Sequence, residues 1–251
     1  MNISGIASDR TVVGQVLRAP LRLIPKSMPL PVLQGKLKGK LWVTGSSSHG
    51  CWLGSYEYDK RIFFEKTVQK GSILFDIGAH AGFYSMLGSV LVGQEGHVYA
   101  FEPCQSNINA IKKHLSLNKL KNVTLIEAGI SDNSGSSFFV AAPSSSMGGV
   151  FDTDAEGTGV SVDVVALDEL ISKGELPPPD YIKMDIEGGE LKALMGAKEM
   201  LKKHKPTIFL ATHGKEIHEE CCHFLRSLNY KLKSLDKGLA LEDTDELIAF
   251  S

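Results

Sequence analysis

Four acidic side chains in this 251-residue chain stand at or just after the ends of short apolar runs. Asp76 closes Ile73-Leu74-Phe75, Glu102 follows His97 to Phe101, and Asp185 and Glu187 follow Tyr181 to Met184. Carboxylates in such places attract cations, accept bonds from hydroxyls and take protons from a nucleophile. Directly after Asp76 comes the turn Gly78-Ala79-His80-Ala81-Gly82, which passes into an amphipathic run beginning at Phe83. Glycine at 78 admits a backbone conformation closed to other residues, and glycine at 82 lets a ligand or the strand come close to the helix start. In open α/β sheets ligands lie across the carboxyl ends of the strands, so three acidic strand ends around one glycine turn mark a binding crevice.

The elements that must hold these residues follow from hydrophobic period. Ile73 to Ile77, His97 to Phe101, Val123 to Ala128, Tyr181 to Ile186 and Thr207 to Ala211 read as buried strands. Between them, Phe83, Met86, Leu87, Val90 and Leu91, then Ile108, Ile111 and Leu115, then Ile217, Cys221, Phe224 and Leu228 recur at helical spacing. A single helix is expected to bury Leu191, Leu194, Met195 and Leu201, and Asn118 is expected to cap the helix before it. Strand and helix in alternation predict an α/β fold with a mostly parallel sheet, helices on both faces, and an antiparallel C-terminal edge hairpin from Tyr230 to Leu235 and Glu246 to Phe250.

Residues 1–65, broken by Pro20, Pro25, Pro29 and Pro31, lack the periodicity for a core of their own and read as a cap. Within it a strand is expected from Lys40 to Thr44, a Ser/Gly turn from Gly45 to Gly50 and a helix from Asp59 to Val68. Residues 66–251 form the main domain, interrupted by an insertion at 131–165. In that insertion Ser136 to Ala141 and Val160 to Val165 alternate like strands around a soft loop, Pro143 to Gly159, read as a substrate-side lid.

With 43% apolar and 22% charged residues and a formal net charge of −2, the chain has no basic footprint for nucleic acid. Cys51, Cys104, Cys221 and Cys222 show no metal-binding spacing and are expected as reduced thiols in a cytoplasmic protein. No apolar run is long enough to span a membrane, and Thr11 to Ile24 reads as a helix packed on its own domain.

The ligand is narrowed by what the turn lacks. A dinucleotide fingerprint needs a second glycine where His80 stands, and a Walker-type loop needs a Gly-Lys-Ser/Thr that does not follow. A phosphate would also face acidic strand ends with no Lys or Arg in the turn. A cationic ligand suits these charges, and S-adenosyl-L-methionine carries an ammonium, a sulfonium and a ribose whose two hydroxyls one acidic side chain can grip. Glu102 is placed to do so.

These residues resemble the FkbM family of S-adenosylmethionine-dependent methyltransferases, within the Rossmann-like class I methyltransferase fold. The likeness rests on Leu53 to Glu57, Asp76 to Ser85, Phe101-Glu102-Pro103, Ser131-Asp132 and Ile182 to Glu190. It implies methyl transfer to a hydroxyl of a sugar, polyketide or other small natural product. It also implies that Asp76, Gly78 and Gly82, with Ala79, His80 and Phe83, border the methionine moiety. Glu102 and Pro103 then hold the ribose, Ala128, Gly129 and Ser131 lie near the adenine, and Asp185 sits beside the transferring methyl. For the base that takes the hydroxyl proton, Asp185 is the first candidate and His213 the second, ahead of Glu187, Glu190 and His80. Lys183 is expected to bridge to a carboxylate, and Trp42, Trp52 and Tyr56 to face the acceptor or pack in the core.

No metal is expected, because the fifth strand ends in Thr212-His213 in place of an acidic pair. A divalent-metal-assisted O-methyltransferase nevertheless stays as one alternative. A dinucleotide-dependent oxidoreductase and a non-catalytic binding domain are the others.

Overall fold

The computed structural model describes residues 21, 23–141, 148–151 and 157–251. In chain order its first elements are β1 (Pro29–Pro31), β2 (Leu41–Val43), α1 (Gly50–Leu53), α2 (Tyr58–Thr67), β3 (Ile73–Ile77), α3 (Phe83–Val92), β4 (His97–Phe101), α4 (Gln105–Asn118) and β5 (Val123–Ile126). Then come β6 (Gly129–Ile130), β7 (Gly135–Ala141), β8 (Gly148–Phe151), β9 (Val160–Val165), α5 (Leu167–Ser172), β10 (Tyr181–Met184), α6 (Glu190–Met195), α7 (Lys198–His204), β11 (Thr207–Ala211), α8 (Lys215–Ser227), β12 (Lys231–Ser234) and β13 (Glu246–Phe250).

Seven strands form one sheet in the order β12-β13-β11-β10-β3-β4-β5. The five strands from β11 through β10, β3 and β4 to the edge strand β5 run parallel, and β13 pairs antiparallel with both β11 and β12. The expected C-terminal hairpin is therefore present, but its last strand lies inside the sheet and β12 is the edge. Successive strand residues point to opposite faces. Phe75, Ile77, Ile208 and Leu210 join the core under α6, α7 and α8, whereas Leu74 and Phe209 join the core under α2 and α3. From β3 the chain builds one way through β4 and β5, then returns to build the other way through β10 and β11. That reversal puts the crevice at the carboxyl ends of β3 and β10.

Three expectations change here. The loop from Pro143 to Gly159 contains β8, which pairs antiparallel with β7 in a second sheet of order β6-β9-β7-β8. Residues 143–147 and 152–156 of that loop, like nearly all of Thr11 to Ile24, lie outside the described residues. The single helix after β10 is two, α6 and α7, and Met195 is exposed where burial was expected. They part at Gly196, where a Cβ would stand 2.1 Å from the carbonyl oxygen of Ser131, so the neighbouring backbone occupies the space a side chain would need. Finally, the residue that ends α4 in a left-handed conformation is Lys119, and Asn118 uses its side chain elsewhere.

All four cysteines are free. No described helix is long and apolar enough to cross a membrane.

Candidate active site

A cavity of about 740 Å³ opens at the carboxyl ends of β3, β4 and β10, within the usual range for a small-molecule site. Its floor is the glycine turn, with Gly78, Ala79, His80 and Phe83 in the wall. Glu102, Pro103, Gly129, Ser131 and Asp185 line it as well.

The turn is built by close contacts within the protein. Gly78 has φ +77°, and a Cβ there would lie 1.9 Å from the carbonyl oxygen of Asp185. Gly82 begins α3 at φ +88°, and a Cβ there would meet Ile111 of α4 at 3.1 Å. The space that glycine 82 leaves is thus taken by a helix, and Gly82 does not line the cavity. His80, between them, takes φ +50°, a left-handed conformation uncommon for a residue with a side chain. Its backbone N–H donates to Glu102 Oε2 at 2.7 Å.

Glu102 also accepts the Cys104 N–H at 2.9 Å and the Asn107 Nδ2 at 3.2 Å, both on Oε1. A carboxylate offers about four acceptor positions. Three are engaged here, so the side chain that was expected to meet a ligand also ties the turn to the start of α4. Burial pushes its pKa up, against those three bonds.

Asp76 departs from the expectation of an acid in the crevice wall. It is fully buried on the face toward α3, where Ser85 Oγ donates to Oδ2 at 2.6 Å. Its Oδ1 has no hydrogen-bond partner among the described residues, and the nearest cation is Lys183 Nζ at 3.9 Å. Burial raises its pKa, with Lys183 and Ser85 acting the other way. Ala128 likewise is buried and outside the cavity wall.

Lys183 does bridge to carboxylates, as expected. Its ammonium lies 3.6 Å from Asp185 Oδ2 and donates to the Gly78 carbonyl at 3.2 Å. Burial alone would raise the Asp185 pKa, but Lys183, then Lys60 and His213, hold it below the usual value. Asp185 is consequently an ionised carboxylate in the cavity wall.

His213 lies behind Asp185 and does not line the cavity. Its Nδ1 sits 2.7 Å from the buried carboxylate of Glu190, and its Nε2 is 3.6 Å from Asp185 Oδ1 and 3.5 Å from Glu187 Oε2. The Glu190 bond, against burial, raises its pKa to about 9. That corrects its standing as a base, since the ring keeps its proton at neutral pH. Among the described residues, Asp185, Glu187 and His213 are the set of three metal-ligating side chains whose donor atoms lie within 4.8 Å of one another. Glu187 joins it at φ +54°. His80 is the opposite case, since burial and then Lys183 lower its pKa.

The far wall is the cap. Trp42 and Tyr56 line the cavity, while Trp52 packs away from it with its indole N–H on His49 Nδ1 at 3.1 Å. The residues Thr44 to His49, expected only as a strand end and a plain turn, line the cavity together with Lys26. Three consecutive serines there were the available signal. A buried chain of charge also lies beside the site. Tyr84 OH donates to Glu57 at 2.9 Å, and Lys60 lies 3.3 Å from Glu57 and 2.7 Å from Glu246. Glu57 and Lys60 are three apart in the chain, but nothing local marks Tyr84 and Glu246 as their neighbours.

Residues 76–232, more than half of the chain, match the methyltransferase FkbM domain. The chain belongs to the FkbM methyltransferase family. The cofactor that goes with this family is S-adenosyl-L-methionine. Over 142 residues the chain is 28% identical to hexuronic acid methyltransferase AglP of Haloferax volcanii, a stretch that covers 57% of this chain and 56% of that one. The chain thus spans little more than half the length of that relative. It also superposes on the crystal structure of methyltransferase FkbM from Methylobacillus flagellatus KT with a TM-score of 0.51 at 19% identity, over 82% of this chain and 56% of the other. At that identity the likeness concerns the fold, the α/β class I methyltransferase architecture.

Within the FkbM frame the glycine turn and Glu102 face the same cavity as Asp185. The strand-end carboxylates divide here into two kinds, Glu102, Asp185 and Glu187 in the wall and Asp76 beneath it.

Proposed function

We propose that this chain transfers a methyl group from S-adenosyl-L-methionine to a hydroxyl oxygen of a small acceptor, a sugar or other natural product. The observation that carries this reading is the placement of Asp185, an ionised carboxylate, in one cavity with the glycine turn on one side and the hydroxyl-rich cap run Thr44 to Ser48 on the other. The AglP resemblance favours a sugar acceptor.

In this reading the turn at Gly78 to His80 and the acid Glu102 hold the donor, with Ala79, Phe83 and Pro103 as neighbours, and Gly129 and Ser131 beside the adenine. The acceptor oxygen attacks the methyl carbon in line with the sulfur. When bound there, S-adenosyl-L-methionine would supply the methyl group, the O–C bond forming as the C–S bond breaks and the electron pair staying with the sulfur of the departing S-adenosylhomocysteine. As the oxygen gives up electron density its proton becomes strongly acidic, so even a carboxylate of low pKa suffices to take it. Asp185 is that acceptor of the proton. Most of the remaining acceleration comes from holding nucleophile and methyl in line.

One observation favours a second reading in which a divalent cation takes part. Asp185, Glu187 and His213 present a mixed carboxylate and imidazole set, and Glu190 holds the other ring nitrogen of His213, the outer contact typical of a ligating imidazole. Such an ion would orient the acceptor and acidify its hydroxyl. The first reading is tested by calorimetry with S-adenosylhomocysteine followed by turnover on a panel of hydroxylated sugars and sugar acids. A folded protein that binds no S-adenosylhomocysteine would overturn it.

A further inference from the structure

His114 of α4 is fully buried between two segments that belong to opposite walls of the cavity. Its Nδ1 lies 2.8 Å from the carbonyl oxygen of Ala81, in the glycine turn. The backbone N–H of Val43, on the cap strand β2, donates to its Nε2 at 3.0 Å. A carbonyl only accepts and an amide only donates, so the ring carries its single proton on Nδ1 and is neutral. One imidazole therefore joins the donor-side turn to the cap.

The ring also stacks on Trp42, with centroids 4.0 Å apart and planes 17° from parallel. Trp42 lines the cavity, and its indole Nε1–H is buried with no partner among the described residues. One helical turn after His114, Asn118 pairs with Leu41 like a strand neighbour: Nδ2 donates to the carbonyl at 2.8 Å and Oδ1 accepts the N–H at 2.7 Å. Both residues grip β2, but of the two His114 alone also holds the turn.

We propose that His114 is a positioning residue that couples the cofactor turn to the acceptor wall, so that ordering of the turn is felt at Trp42 and the reverse. The proposal rests on the reading that Gly78 to Gly82 borders the cofactor. Such coupling is reciprocal by linkage: what the cofactor does to the cap, an acceptor does to cofactor affinity.

The chain has two tryptophans, so a Trp52→Phe parent leaves Trp42 as the sole indole reporter. S-adenosylhomocysteine is titrated into it by calorimetry and by Trp42 emission. The parent should bind and its emission should change. His114→Phe keeps an aromatic ring against Trp42 but removes both hydrogen bonds. Its affinity should fall about tenfold and Trp42 should stop responding. His114→Asn can still donate to Ala81 while losing Val43, so it should recover most of the affinity and leave Trp42 silent, a split that general loosening of the fold would not produce. A folded His114→Phe protein with parental affinity and parental Trp42 response overturns the proposal. If that variant does not fold, a parental Trp42 response in His114→Asn overturns it instead. A parent that binds no S-adenosylhomocysteine overturns the cofactor reading and the coupling with it, whereas binding with a Trp42 response independent of His114 overturns the coupling alone.

Discussion

Lys183 stands directly opposite Asp76 in the register between β10 and β3, and its ammonium is the nearest cation to a carboxylate that has no exposure to solvent. The same ammonium holds Asp185 and the Gly78 carbonyl. One buried cation thus neutralises the acid beneath the turn and orients the acid in the cavity wall.

Removing that cation should be felt first as stability. Lys183→Met takes the nearest cation from the buried Asp76, leaving it the Ser85 hydrogen bond, and should cost about 3–5 kcal/mol. Adding Asp76→Asn should restore a large part of the loss, because a neutral amide tolerates burial better than an unpaired charge. Urea unfolding of the two single variants and the double variant measures the coupling, and strictly additive losses would refute the pairing.

Glu102 should report on the cofactor. Its carboxylate lines the cavity and holds His80, Cys104 and Asn107, so Glu102→Ala loses the bonds that shape the turn and, on the proposed reading, a contact to the ribose as well. Charge-assisted bonds of this kind are worth about 1.5–3 kcal/mol, which corresponds to roughly a 10- to 100-fold loss of S-adenosylhomocysteine affinity. Calorimetry that finds equal affinity in variant and wild type removes the ribose assignment.

Asp185→Asn should instead slow turnover by roughly 10²- to 10⁴-fold with little change in cofactor affinity, since on the proposed reading it removes the proton acceptor and leaves the turn in place. Chelation separates the two readings of that residue. Turnover that survives dialysis against EDTA supports Asp185 acting alone, and turnover that vanishes and returns with added magnesium or manganese supports an ion held with Glu187 and His213.

His114 sets a pH dependence of stability. Burial pushes its pKa down from 6.5 to about 4, the Ala81 bond acts the other way, and Lys113 adds to the lowering. As pH falls, the unfolded chain takes up the proton first, so the contribution is complete above pH 6.5 and is lost as pH drops toward 4. The full loss is about 3 kcal/mol. Unfolding measured at steps between pH 7.5 and 4.5 should show a shallower slope in His114→Phe than in wild type. Equal slopes would show that His114 is not the titrating group.

Much of the sheet could be read directly from the chain because its strands are apolar runs closed by an acid or a glycine, as in Leu74-Phe75-Asp76-Ile77-Gly78. β8 escaped because Gly148-Gly149 carries no alternation, and it is a strand only through pairing with β7. The break at Gly196 depends on a carbonyl 65 positions earlier in the chain, at Ser131. The candidate site divides in the same way. Acids at strand ends announce themselves, but whether each faces the cavity depends on the pleat, which sends Asp76 toward α3. Proton affinity is less local still: His213 is loaded by Glu190, 23 residues away, and His80 is emptied by burial and Lys183.

The contact between Gly78 and the Asp185 carbonyl bears on how such a protein could be remade. Any side chain at position 78 would have to displace the backbone that carries Asp185, so the spacing between the glycine turn and the Asp185 carboxylate cannot be tuned from the turn. The run from Thr44 to His49 carries no comparable constraint at its serines, which are side chains in a loop facing the cavity. On the proposed reading, variation in acceptor choice, whether natural or selected in the laboratory, therefore has its freedom on the cap, while the corner at Gly78 stays fixed.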